Sequence, residues 1–423
     1  MLDIKFIRDN VDYLKKVIID KGEKFDLDYL IEIDNKRIQL QQKVDELNKQ
    51  RNEAAKERNI ELGKSLKDQI SNIEQEYNTV KAEFQKLMEL VPNIYSSDTP
   101  LGKDDAENVV LRKVGNIKDF TFQPKEHWEL GIEKGLLDIE TASKVSGSRF
   151  SYIKGDLVKL QFAIIQFVFN TLTDENILKK IISDNKLNIE SKPFVPVVPP
   201  VIIKQEVMKK MGRFEPKDER YCLDEDSQVF VGSAEHSLGP IHMNETIDEQ
   251  DLPIRYIGYS TSFRREAGSY GKDVKGILRQ HQFDKLEMES FVVPEKGLEE
   301  QNFFVAIQEY LMQQLELPYQ VLICCTGDMG SVDYRHIDIE TWMPGQGKYR
   351  ETHSSDYMTD YQSRRLEIRV KRKDGSKEFV YMNDATAFAI GRILIAIIEN
   401  NQQQDGTIKV PSVLERFVGK ERI

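Results

Sequence analysis

The sequence predicts an α+β protein: an N-terminal antiparallel two-helix coiled-coil arm, then an antiparallel β-sheet flanked by helices. Three observations carry this prediction. Two proline-free stretches near the N-terminus keep a heptad seam on either side of a short break. Beyond residue 121, short apolar runs of strand length recur without the regular strand–helix alternation of a parallel sheet. No glycine-rich turn joins a strand to a helix, which disfavours a Rossmann or P-loop nucleotide site.

The arm comes first. Leu30, Ile33, Arg37, Leu40, Val44, Leu47, Arg51 and Ala54 follow 3-4 spacing. After a break near Asn59–Gly63 the pattern resumes with Leu66, Ile70, Ile73, Tyr77, Val80, Phe84, Leu87 and Val91, and Pro92 ends it. The predicted hairpin covers about 28–91, inside an N-terminal domain of residues 1–107. Each helix spans roughly 40 Å at 1.5 Å per residue, and Gly63 is the expected turn residue. Residues 36–67 carry nine Lys and Arg against five Asp and Glu, a local excess of +4 in a chain whose net charge is −11. Such an arm either contacts phosphates or is a dimerising coiled coil kept soluble by its charges.

The second domain is predicted over 108–423. Residues 92–120, with Pro92, Pro100, Gly102 and Gly115, read as a linker. Residues 156–171 read as a helix, and 194–203 as an extended segment, because Pro199 and Pro200 fit neither a helix interior nor a central strand. Strands are predicted at Gln228–Gly232, Ile254–Phe263, Gln282–Met288, Gln320–Cys325 and Arg335–Met343. Helices are predicted at Glu300–Leu315 and, last, at Ala385–Glu399.

Composition narrows the class. The longest apolar runs, Phe162–Phe169 and Ile393–Ile398, are too short to span a bilayer, so no membrane partner is expected. The charged N-terminus does not read as a signal peptide. Three cysteines, Cys222, Cys324 and Cys325, make no disulfide framework, and a reducing, cytoplasmic setting is expected. The acidic balance argues against general nucleic-acid binding but leaves a specific partner open.

The segment 263–287, FRREAGSYGKDVKGILRQHQFDKLE, is the most informative part. It sets Arg264 and Glu266 before a Gly- and Lys-bearing loop, then Arg279, Phe283 and Glu287 after it. Arginine grips phosphate with a planar fork of donors, and an aromatic ring offers a purine a face. The pattern suits a nucleoside triphosphate held without a P-loop; a solvated hairpin with ordinary surface charge is the competing reading.

Ordered matches along the whole chain resemble the bacterial-type seryl-tRNA synthetases, which are class II aminoacyl-tRNA synthetases. They are the hairpin, HWELG at 127–131, KVSGSRF at 144–150, VPP at 198–200, SAE at 233–235 and FRREAGSYGKD at 263–273. RQHQFDKLE at 279–287, CTGDMG at 325–330, WMPGQGKYRE at 342–351 and AFAIGR at 387–392, with Glu399–Asn400, complete them. The resemblance implies a class II synthetase domain and the joining of L-serine to tRNA(Ser), with tRNA(Sec) as a second candidate acceptor, through a seryl-adenylate made with ATP and Mg²⁺. It implies a homodimer with Pro199–Pro200 at the interface.

Site roles follow from the same resemblance. Arg264 and Arg392 are the implied catalytic residues. ATP is expected at Arg264, Arg265, Glu266, Arg279, Phe283, Glu351, Thr352, His353, Ser354 and Arg392, with Mg²⁺ on Glu351 and Ser354. L-Serine is expected at Ser233, Ala234, Glu235, Arg264, Glu287 and Thr386. The chain departs from the family pattern at Ser233 (usually Thr), across 352–356, where His353 and Asp356 fall, and at Asp384 and Ala385 (usually Asn and Gly). These departures keep two further readings open: an enzyme activating serine or another small amino acid for a non-tRNA acceptor, and an inactive RNA-binding homologue. The basic arm argues against the first, and retention of Arg264, Glu287, Glu351 and Arg392 against the second.

Overall fold

A computed structural model describes residues 1–267 and 275–423. The chain forms two compact units, Met1–Ile94 and Tyr95–Ile423. No helix among the described residues is long and apolar enough to cross a membrane.

The first unit is helical: α1 (Ile4–Asp9), α2 (Val11–Asp20), α3 (Leu27–Lys56) and α4 (Ile60–Leu90). Ile33, Leu40 and Val80 are buried between α3 and α4, with Ile73, Tyr77, Phe84 and Leu87 packed against them. Cross-helix pairs fix the antiparallel register: Tyr29 donates to Glu83, and Lys36 pairs with Glu76 at 2.9 Å. Asp34 is buried beside this seam and held by Arg8 at 2.6 Å and Arg37 at 2.7 Å. The turn falls earlier than Gly63. Arg58 takes the left-handed conformation (φ 60°), and Asn59 caps α4 by accepting from the Leu62 amide. Gly63 lies inside α4, because a side-chain cap does the work that a flexible residue was expected to do.

The second unit is built on an antiparallel-dominated sheet of eight strands among the described residues. In chain order they are β1 (Val109–Val114), β2 (Val195–Val197), β3 (Ile254–Phe263), β4 (Gln282–Val292), β5 (Tyr319–Ile323), β6 (Arg335–Met343), β7 (Lys348–Thr359) and β8 (Tyr381–Ala389). In space they run β1-β5-β6-β7-β8-β4-β3-β2, and only the β2–β3 edge pair is parallel. The expected linker 92–120 therefore contains an edge strand, anchored where Arg112 pairs with Glu309. The expected final helix Ala385–Glu399 divides: β8 occupies 381–389, and a helix, here called α8, runs Ile390–Asn401, with α9 (Ser412–Val418) after it. Ala385 favours helix in isolation, but pairing with Met288 on β4 and Ser355 on β7 holds it in the sheet.

One face of the sheet is covered by apolar helices. The helix Gly297–Gln314 buries Phe303, Phe304, Ile307 and Leu311, and α8 buries Ile393 to Ile398. Two glutamines enter this core and satisfy backbone carbonyls. Gln301 donates to the carbonyls of Arg335 and Ser355, and Gln308 to those of Ser354 and Thr386, each at 2.8–2.9 Å. The opposite face of β4, β7 and β8 carries the polar residues.

Candidate active site

Strand periodicity builds the site. On β4, Phe283, Lys285, Glu287 and Glu289 share one face, since alternate residues point the same way. Thr386 and Asp384 on β8 stand opposite Glu287 and Glu289, and Asp356 on β7 stands opposite Asp384. An extra residue, Thr352, between the pairs His353–Ile339 and Glu351–Glu340 bulges β7.

A cleft opens over this face, lined by Arg264, Glu266, Ile277, Leu278, Arg279, Gln280, Phe283, Lys285, Glu351, Thr352, Ser354, Thr386, Ala389, Gly391 and Arg392. The structure thus brings together nine expected positions from four separate stretches of chain. Arg264 is steered by its Nε, which donates to the Gly232 carbonyl at 3.0 Å, and its guanidinium lies 5.4 Å from the Phe283 ring centre. Arg279 meets Glu266 at 3.4 Å. Glu266 has φ 53°, and Arg149 donates to its carbonyl at 3.2 Å. Arg392 sits in the first turn of α8, where a cation opposes the helix dipole, and Glu351 offsets it at 2.8 Å. That helix start, which no side chain caps, and three arginines make the cleft a place for an anion.

The polar end of the cleft is tighter. Lys285 Nζ is 2.6 Å from Glu287 Oε2 and 3.8 Å from Glu235 Oε2, and donates to Ser233 Oγ at 3.0 Å. Ser233 Oγ in turn lies 2.7 Å from Glu235 and 3.2 Å from Glu287. Burial pushes the Glu287 carboxyl up to about 7 against the pull of Lys285. Burial would raise Glu235 too, but Lys285, then His236 and Arg213, hold it well below the usual carboxylate range.

Six expected contacts fall outside the cleft lining: Ser233, Glu235 and Glu287, which gather at Lys285, and His353, Arg265 and Ala234. His353 is 1% exposed, packs on Phe388 at 5.2 Å between ring centres and bonds Thr352 Oγ1 at 2.8 Å. As the neighbour of Ser354 on a strand it points to the opposite, apolar face, and burial pushes its imidazole down to about 3. Arg265 is exposed and lies over Tyr221 at 5.6 Å. Ala234 is fully buried against the open face of Gly258, beneath Ser233 and Glu235. The Gly- and Lys-bearing loop at 268–274 lies outside the described residues.

Sequence reasoning missed Lys285, although its place two residues after Phe283 and two before Glu287 marks it as a member of the same strand face. Other matched strings turn out to brace the site. His127 Nδ1 pairs with Glu399 at 3.1 Å, and its Nε2 accepts from the Ile277 amide at 3.2 Å. Glu399 also accepts from the Gly345 amide, and Asn400 donates to the Trp342 carbonyl.

An antiparallel sheet carrying paired arginines, an aromatic ring and a carboxylate over one face is the core of a class II aminoacyl-tRNA synthetase. The family description "tRNA synthetase class II core domain (G, H, P, S and T)" matches residues 221–401. "Seryl-tRNA synthetase N-terminal domain" matches residues 1–95. The serine–tRNA ligases of Dictyoglomus turgidum and Borreliella burgdorferi are each 39% identical to this chain, across 100% of it and 99% of theirs. A crystal structure of the seryl-tRNA synthetase from Pyrococcus horikoshii complexed with ATP superposes with a TM-score of 0.88 at 33% identity, covering 100% of this chain and 99% of that one. The chain belongs to the seryl-tRNA synthetase family.

Proposed function

We propose that this protein is a serine–tRNA ligase whose cleft joins L-serine to ATP and passes the seryl group to tRNA(Ser). The observation that carries the reading is the contiguity of two differently built halves: an arginine-rich, ring-bearing end for a triphosphate, and a buried hydroxyl–carboxylate–ammonium cluster for a small zwitterion. They meet at Lys285. A serine carboxylate oxygen attacks the α-phosphorus, the bond to the bridging oxygen breaks, and pyrophosphate leaves. The ribose hydroxyl of the tRNA end then attacks the seryl carbonyl carbon, and AMP leaves. Both steps demand positioning and charge neutralisation more than proton transfer.

In this reading Arg264 grips the α-phosphate, Arg279 and Arg392 meet the distal phosphates, and Phe283 stacks under adenine, with Glu266 at the nucleotide's adenine or ribose edge. Glu351 and Ser354 offer hard oxygen donors on one strand, and both line the cleft; that donor set fits Mg²⁺, which would draw charge from the triphosphate. Glu287 and Glu235 take the serine ammonium and hydroxyl, with Ser233 and Thr386 completing a small polar wall. A wall built to hydrogen-bond a hydroxyl rejects alanine, which would leave those groups unpaired.

The arm's basic stretch supports tRNA as the acceptor, read by backbone and shape. An enzyme serving a non-tRNA acceptor has no use for such an arm. tRNA(Sec) is a second proposed acceptor by the same physical route. We also propose a homodimer joined near Pro199–Pro200, supported by the edge strand β2 with Val195 and Val198 exposed at 53% and 79%. Three free cysteines favour a cytoplasmic setting. Amino-acid-dependent ATP–pyrophosphate exchange tests the central reading: exchange is expected with serine, and its absence sinks the proposal.

A further inference from the structure

Beside the amino-acid pocket lies a further row of acids that none of the roles above uses, its Asp384 carboxylate within 4.8 Å of those of Glu235 and Glu287. Glu289, Asp384 and Asp356 stand directly opposite one another on β4, β8 and β7. All three are buried, Glu289 completely. Directly opposed side chains in a sheet sit about 5 Å apart at Cβ, so three ionised carboxylates in one row repel strongly. Two cations serve the row. His336 pairs with Asp356 through Nδ1 and with Asp338 through Nε2. Arg213, from the segment after the short helix Gln205–Lys210, reaches Asp356 at 3.0 Å, Asp384 at 3.3 Å and Asp333 at 3.5 Å with Nη2.

A second nitrogen of the same guanidinium faces the pocket. Arg213 Nε lies 3.9 Å from Glu235 Oε1, the oxygen that Ser233 does not use. Burial, and then the neighbouring acids, push Glu289 and Asp384 well above the usual carboxylate range. His336 shares the charge of Asp356. The guanidinium, always charged, faces Glu235 in surroundings of low dielectric, where a fixed charge acts strongly.

We propose that Arg213 is a positioning residue for the amino-acid pocket: anchored on Asp356 and Asp384, it fixes the Glu235 carboxylate towards Ser233 and Lys285. It touches no substrate. Its effect passes through Glu235, whose Oε1 it shares with His236 Nε2 at 3.5 Å, and which it orients for the substrate's ammonium or hydroxyl. This inference rests on the reading of the cleft as a serine-activating site.

The test is serine-dependent ATP–pyrophosphate exchange by the full-length chain, with KM measured separately for serine and ATP. Wild-type exchange with serine comes first; if none occurs, the functional reading has failed and not the role of Arg213. Arg213→Gln is expected to raise the serine KM roughly tenfold, the scale of a lost contact to a charged group, with kcat and the ATP KM within about twofold. Because that variant leaves acids without their cation, it is paired with the triple variant Arg213→Gln, Asp356→Asn, Asp384→Asn, which removes anchors and guanidinium together. A serine KM that stays raised in the triple variant supports positioning. A serine KM restored to the wild-type value overturns it, because Arg213 then only balances buried charge. Arg213→Lys should give an intermediate serine KM, since it keeps the charge and loses the fork.

Discussion

Arg392 clasps Glu351 twice across the cleft, donating from Nη1 to its carbonyl at 3.0 Å and meeting its carboxylate at 2.8 Å. The pair joins the first turn of α8 to the strand that carries Ser354. A guanidinium held there is already in place before a triphosphate arrives. Replacing it with alanine leaves Glu351 as an unbalanced anion facing the phosphates. Arg392→Ala is expected to lower serine-dependent exchange by 10²- to 10³-fold, roughly the scale for a lost electrostatic donor. Glu351→Gln should lower it less and raise the Mg²⁺ concentration needed for half-maximal exchange.

Glu287 predicts a pH signature. Its carboxyl is pushed up to about 7 by burial, so it is largely protonated below that value and ionised above. An ammonium ligand needs the ionised form. Serine KM should therefore fall as pH rises through 7 and level off above it. In Glu287→Gln the serine KM should be higher, and flat across the same range. A wild-type profile with no inflection there would contradict this account.

The buried histidines predict how stability depends on pH. His353 and His236 are both held near 3 by burial, against 6.5 when free. Below 6.5 the unfolded chain takes up protons that the folded chain refuses, so stability is lost as pH falls from 6.5 towards 3. Each histidine contributes about 1.4 kcal/mol per pH unit inside that window. Thermal melts from pH 7 to 5 should show the fall, and His353→Asn should make it shallower.

Gly276 predicts a link between packing and nucleotide affinity. It has φ +77°, and a Cβ there would lie 2.0 Å from His127 Nε2. Gly276→Ala must therefore push the chain off the brace that holds Ile277, three residues from Gln280 and two from Arg279. The expected result is a loss of about 1–3 kcal/mol in stability together with a several-fold rise in ATP KM. Urea melts and exchange kinetics measure the two effects separately.

The arm predicts a split phenotype. Deleting residues 36–86 should abolish charging of tRNA(Ser) and leave serine-dependent exchange within about twofold, because the cleft lies wholly in the unit Tyr95–Ile423. Intact charging by the deletion variant would refute the role given to the arm.

Much of this architecture was legible in the sequence where one periodicity ran undisturbed. The heptad seam located both arm helices, and Ile254–Phe263 and Arg335–Met343 match their strands to the residue. Legibility failed where the site overrides local preference. Strand β7 holds Glu351, Thr352, His353 and Ser354, too polar to read as a buried strand, and β8 begins its alanine-rich half like a helix. His353 was misplaced because only the strand's alternation, invisible without the strand, turns it from the cleft. Arg213 carried no signal at all: its partners at 235, 333, 356 and 384 are brought to it by the sheet.

Lys285 and Glu287 on β4, Thr386 on β8 and Ser354 on β7 stand on three neighbouring strands, at a pitch of about 4.8 Å set by backbone hydrogen bonding. Gln308 locks two of those strands from below through the carbonyls of Ser354 and Thr386 themselves. The spacing of these groups is thus set by peptide units, braced by the one side chain of Gln308. On such a scaffold one acid or hydroxyl can replace another at a given position while the strand pitch stays the same.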